Sequence, residues 1–420
     1  MNRWPEQRLK TLSSIPIVNG VGAPGEFDDP TWPRYVRITD IADRRSLKTD
    51  IFKSQPPEVA CLAEVKRGDL LLAAVGATYG ISTLYEDDAP ACFAGYLVRV
   101  RPKSYGNGRF LSYWTESMHY WDQLGTEVIQ ATIQNFSAAK YRRLSVPWPS
   151  SKTRMAIVGH LDSETSRVDS LIDRKQRFID LLLEKRTALI TLAVTKGLDS
   201  DVEMKDSGVE WLGEIPATWD VVGSKRLFSL RRERARGDDC QLTASQAYGV
   251  IPQADFMERE GRRVVQVVLD PGILKHVEPG DFVISMRSFQ GGLERSAHRG
   301  CVSSAYVALK PADVVHARFF TYLLKCASYI QALQSTTNLV RDGQALRYEN
   351  FAQVPLPAVP MHEQGMIATF LDAQVQRMDA LVDKTRKSID LLKEYRTALI
   401  SAAVTGQIEI PATGSGEDVA

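Results

Sequence analysis

Cysteine is scarce in this chain. The five, Cys61, Cys92, Cys240, Cys301 and Cys326, are widely spaced, odd in number and never in CxxC pairs. That pattern argues against a disulfide framework and against a zinc site. Long apolar runs are missing as well. No stretch of about 18 apolar residues occurs, and the start, MNRWPEQRLK, has no apolar h-region, so a cytoplasmic protein without a membrane role is expected. Net charge is nearly nil: 52 Lys and Arg against 51 Asp and Glu give +1. The sum recommends no polyanion as a partner and excludes none, because local patches matter more.

Catalytic signatures are absent too. The lone Pro-Pro, in QPPE at Gln55 to Glu58, does not fit the Asn/Asp-Pro-Pro-Tyr/Phe motif of adenine methyltransferases. GVGAPG, Gly20 to Gly25, matches G-x-G-x-x-G, but Pro24 lies inside it and EFDDPTWP follows. A dinucleotide fingerprint needs a helix there, so a flexible loop is expected instead. No GxxxxGK[ST] loop and no HExxH pair occurs. The chain reads as non-catalytic.

What is present is a repeat. At 420 residues the chain has room for two or three domains, and 44% hydrophobic with 25% charged residues is ordinary for a globular protein. RTALITLAVT (Arg186 to Thr195) returns as RTALISAAVT (Arg396 to Thr405), 210 positions later. Extended back to Leu161 and Leu371, the two copies align without a gap and are identical at about half their positions. Val168, Leu171, Ile172, Ile179, Leu182, Leu189, Ile190 and Ala193 fall on one helical face. Met378, Leu381, Val382, Ile389, Leu392, Leu399, Ile400 and Ala403 repeat that face in the second copy. No proline or glycine interrupts either run, so two helices of roughly 50 Å are predicted, packed as a coiled-coil pair.

The repeat continues more faintly outside the helices. LSVPWP (Leu144 to Pro149) aligns with VPLPAV (Val354 to Val359), and RFLSYW from Arg109 with RFFTYL from Arg318. VKRGDLLLA from Val65 aligns with VEPGDFVIS from Val277, each reading as a Gly-Asp turn that feeds a buried strand. The expected class is mixed α/β (α+β). Two tandem globules alternate with a pair of long antiparallel coiled-coil helices, giving an internal pseudo-two-fold repeat. The expected partition is a first globule at 1–150, a central helix at 151–200, a second globule at 201–357 and a C-terminal helix at 358–408. Residues 409–420 are expected to be a disordered tail.

This order resembles the specificity (S) subunits of type I restriction-modification enzymes. The likeness is carried by SGVEWLGEIPATW (Ser207 to Trp219), LLLEKRTALITLAVTKGL (Leu181 to Leu198) and LLKEYRTALISAAVTGQI (Leu391 to Ile408). It implies two target-recognition domains that read the halves of a bipartite site in double-stranded DNA, and a helical spacer between them. It further implies two docked methyltransferase subunits and a restriction/translocase subunit. S-adenosylmethionine, ATP and Mg would be bound by those partners and no cofactor by this chain. A non-catalytic tandem-repeat scaffold for protein partners is the alternative.

Base reading needs donors at a groove, backed by phosphate contacts. In the first globule the candidates are Thr78 and Tyr79, in the loop after the Gly-Asp strand, and Lys140, Arg142 and Arg143. In the second they are Arg287, Ser288, Phe289 and Gln290, with Arg341, Gln344 and Arg347.

Overall fold

The apolar stripes become two long helices, Ser151–Lys196 and Met361–Thr405. In a computed structural model both begin ten residues before the aligned repeat. The structure describes residues 3–128, 136–261, 263, 271–285, 288–336 and 346–410. Along the stripes Val168, Ile179, Met378, Val382 and Ile389 are buried, whereas Leu381 faces solvent, against expectation.

Each half builds the same sheet. In the first half β1 (Val18–Asn19), β2 (Leu70–Ala73), β3 (Ser82–Leu84) and β4 (Leu97–Val100) stand in the order β1-β4-β2-β3. In the second, β5 (Phe228–Leu230), β6 (Phe282–Ile284), β7 (Glu294–Arg295) and β8 (Val307–Pro311) stand in the order β5-β8-β6-β7. All neighbours are antiparallel, and β2 and β6 are buried along their length, as their unbroken apolar sequences require. The Gly-Asp turns enter these strands with Gly68 at φ +91° and Gly280 at φ +97°, conformations open to glycine at little cost. Asp69 and Asp281 are both buried and each is gripped by two nitrogens of one arginine, Arg101 and Arg231 respectively. The two arginines leave different strands, Arg101 after β4 and Arg231 after β5, so the halves satisfy one buried carboxylate by different routes. The Gly20–Gly25 stretch is not a flexible loop at its start. Gly20 and Val21 donate to the carbonyls of Leu97 and Phe93 at 3.2 and 3.0 Å, and no helix follows.

The chain forms two compact units that do not follow its linear order. One comprises 1–176 with 386–420, the other 177–385. In the first unit the core takes Ile157, Val158 and Leu161 from the start of the first long helix, and Ile400, Ala403 and Val404 from the end of the second. The second unit mirrors this with Ile367, Ala368 and Leu371 from the start of the second helix, and Ala193 and Val194 from the end of the first. The duplicated decapeptide is therefore a docking end. Each copy finishes a helix begun on one globule and packs into the core of the other.

Matched polar contacts hold the helices in place. Arg109 and Tyr113 both bond Asp162 in the first unit, the hydroxyl at 2.8 Å. Arg318 and Tyr322 bond Asp372 in the second, both at 2.7 Å. The decapeptide arginines repeat the scheme: Arg396 pairs with Asp169 at 2.9 Å, and Arg186 with Asp379 at 3.3 Å.

Candidate nucleic-acid interface

The loops that follow β2 and β6 share a frame. Gly80 has φ +82° and Gly292 φ +79°, and a side chain at either would overlap neighbouring atoms, Leu124 and Trp121 in one case and the Leu324 carbonyl in the other. Within the first loop Thr78 is exposed at the end of a short turn, Gly76–Thr78. Tyr79 is half-buried, edge-on to Trp121 with ring centres 6.5 Å apart. Within the second loop Ser288 is buried and its hydroxyl accepts the Ser285 N–H at 2.9 Å. It fastens the loop, so it is not placed to read a base as expected. Phe289 is half-buried against the core, while Gln290 stays exposed. Arg287, Arg341 and Gln344 lie outside the described residues.

The remaining first-half candidates converge. The turn Ala138–Tyr141 is anchored by Tyr141, whose hydroxyl donates to the Ala73 carbonyl at 2.6 Å and whose ring stacks edgewise on Phe136 at 4.6 Å. Burial raises this phenol well above its usual range, so it serves as a neutral donor. Arg142 follows and donates through Nε and Nη2 to the Ile17 carbonyl, at 3.0 and 2.6 Å. The chain then enters the strand Ser145–Pro147, which pairs antiparallel with Glu6–Arg8. Gln123 fixes the junction, its amide giving a hydrogen bond to the Ser145 carbonyl at 2.9 Å and taking one from the Ser145 N–H at 2.8 Å.

These constraints leave a groove of about 450 Å³ lined by Arg8, Lys10, Lys140, Arg142 and Arg143. Gln123, Thr126 and Leu144 complete it, and no carboxylate is among the described lining residues. Lys140 also lies 5.6 Å from the Phe136 ring centre. Arg8 and Lys10 escape sequence reasoning because nothing local marks them. Only the pairing of Arg8 with Ser145 carries them to the cluster at 140–143.

The second half has the same groove with different chemistry. There Asp220–Val222 pairs with Leu356–Ala358, and a cavity of about 450 Å³ lies in the matching place. Its Ala332, Ser335, Gln353 and Val354 stand where the first half has Gln123, Thr126, Arg143 and Leu144. Trp211 and Glu210 also line it, with the indole N–H donating to the Pro355 carbonyl at 3.1 Å. Arg347 is exposed nearby, at the start of the helix Tyr348–Gln353, where its N–H donates to Asn350 at 3.0 Å.

Each unit also bares an equivalent leucine on its long helix. Leu391 in the first is 65% exposed and Leu181 in the second 63%. Such large apolar side chains on a charged helix face are docking candidates.

No family model matches the chain. Among curated proteins it is similar to the type I restriction enzyme EcoKI specificity subunit of Escherichia coli (strain K12), 26% identical over 141 residues. That match takes in 31% of this chain and spans only 30% of the relative's length. Among solved structures, one from a type I R-M system, described for its complex assembly and conformational transition, aligns over 96% of this chain and 98% of its own. It does so with a TM-score of 0.69 and 17% identity. The crystal structure of an HsdS subunit from Thermoanaerobacter tengcongensis aligns over 96% and 97%, with a TM-score of 0.52 and 16% identity.

Proposed function

We propose, from the premise that this chain has the fold of the type I HsdS structures, that it is the DNA-recognition subunit of a type I restriction-modification complex. The observation that carries the reading is the duplication: two globules of one sheet topology, each completed by the helix end of the other half. Such an arrangement suits a bipartite double-stranded site, one globule to each half. The differing loops and grooves suit two different half-site sequences. Thr78, Gln290 and Arg347, with Arg287, Arg341 and Gln344, are the side chains assigned to reading DNA; Lys140, Arg142 and Arg143 back them on phosphate.

The chain is non-catalytic in this reading. Two methyltransferase subunits dock on the long helices, around Leu391 and Leu181, and a restriction/translocase subunit joins them. S-adenosylmethionine belongs to the methyltransferases, and ATP and Mg to restriction. Among the described residues no helix is long and apolar enough to cross a membrane, and the assembly works in the cytoplasm, where the DNA is. Native mass spectrometry of the co-expressed complex tests the docking. Two methyltransferase copies per chain are expected, falling to one in Leu391→Glu or in Leu181→Glu. A saturated one-to-one complex in the unaltered protein would refute it.

A further inference from the structure

We infer that the first globule alone carries a clamp for the phosphate backbone of duplex DNA, in the groove of Arg8, Lys10, Lys140, Arg142 and Arg143. This rests on the DNA-reading function proposed above and adds an asymmetry to it. Five cations line one groove with no carboxylate among its described lining residues, and they form a local positive field that the net charge of +1 conceals. A polyanion with a regular spacing of charge is the partner such a lining attracts, and phosphate contact of this kind is indifferent to base sequence.

The second half shows what the same groove becomes without that role. Lys140, Arg142 and Arg143 are replaced there by Asn350, Ala352 and Gln353, and Arg8 by Gly223. The indole of Trp211 lines the cavity, held by the Pro355 carbonyl and packed on Tyr329 at 5.5 Å. Among its described lining residues the second groove carries Glu210 and no cation, with Lys225 keeping the place of Lys10 outside that lining, whereas its counterpart is basic. The two halves therefore divide the labour: the first supplies the salt-dependent grip, and the second discriminates with little backbone contribution.

The test uses the full chain with a solubility tag, binding a random-sequence 30-base-pair duplex by fluorescence anisotropy across a salt series. Lys10→Gln with Arg143→Gln is the variant of choice, because neither side chain bonds another described residue, whereas Arg142 supports Ile17. Removing one cation that neutralises a phosphate should flatten the slope of log K against log salt by about 0.9, so the double variant should drop nearly two units of slope and bind roughly tenfold or more weakly at 0.1 M salt. The second-half control, Lys225→Gln with Gln353→Ala, should leave both quantities unchanged, and melting curves should show both variants folded. Equal weakening in the control would overturn the asymmetry. Unchanged binding and slope in Lys10→Gln with Arg143→Gln would overturn the clamp and leave DNA reading standing. So would unchanged DNA binding together with abolished methyltransferase co-purification, which would make the groove a protein dock. Failure of the unaltered chain to bind any duplex would remove both.

Discussion

His276 has no exposed surface, yet it lies between two carboxylates, Nδ1 2.7 Å from Asp239 and Nε2 2.8 Å from Glu278. Burial lowers the imidazole pKa, but the two hydrogen bonds and the Asp239 charge outweigh it against nearby Arg236, so the net shift is upward. A folded-state value above the unfolded one, about 6.5, stabilises fully below that pH and loses the contribution as pH rises through the raised value. The second unit should therefore melt at lower temperature as pH climbs above about 6.5, through the raised value, and His276→Gln should flatten that dependence. Differential scanning calorimetry of the two proteins checks it; parallel pH profiles would refute the assignment. At this scale the sequence was only partly legible. Arg142 and Arg143 could be named because they are adjacent in the chain, but Ser288 is turned inward by a cap that depends on the loop closing at Gly292. His276 gave no signal, because Asp239, 37 positions away in the chain, reaches it only after folding, and Glu278 two residues on is unremarkable by itself.

The helices are the most legible elements, since a stripe at helical period reports its own burial. Both long helices run where the stripes place them, and the exit strands Ser145–Pro147 and Leu356–Ala358 precede them. What the pattern could not show is which globule receives each helix end, because Ile400 and its counterpart Ile190 read identically. In the structure Ile400 is fully buried in the first unit's core, while Ile190 is half-buried beside the second. Ile400→Ala should cost about 2–5 kcal/mol, and Ile190→Ala distinctly less, measured as the shift of the first and second unfolding transitions respectively. Equal costs would mean that the two ends are docked alike.

At the scale of the whole molecule, the chain passes between its two units inside the helices, at 176/177 and again at 385/386, and its start is tied to its end by the Arg3 N–H on the Thr405 carbonyl at 3.0 Å. An insertion at Thr195 would disturb a docked end, because Ala193, Val194 and Thr195 are buried. Lengthening the connection requires four helix-forming residues after Gln176 and four after Thr385. That adds about 6 Å of rise and slightly more than one turn, and should widen the gap between half-sites by about one or two base pairs with both half-site sequences kept. On the proposed function, replacing residues 1–150 with the first globule of a type I specificity subunit should change one half-site only. The tandem order of the halves was legible from the repeat, but the exchange of helix ends was not, since it depends on residues about two hundred positions apart meeting in the fold. On the proposed function, two globules of one chain read two parts of one DNA site. Methylome sequencing of the host with and without this gene tests it most directly: a motif of two defined halves with a fixed unspecified gap should vanish on deletion, whereas an unchanged methylome, or loss of a single continuous motif, would contradict the claim.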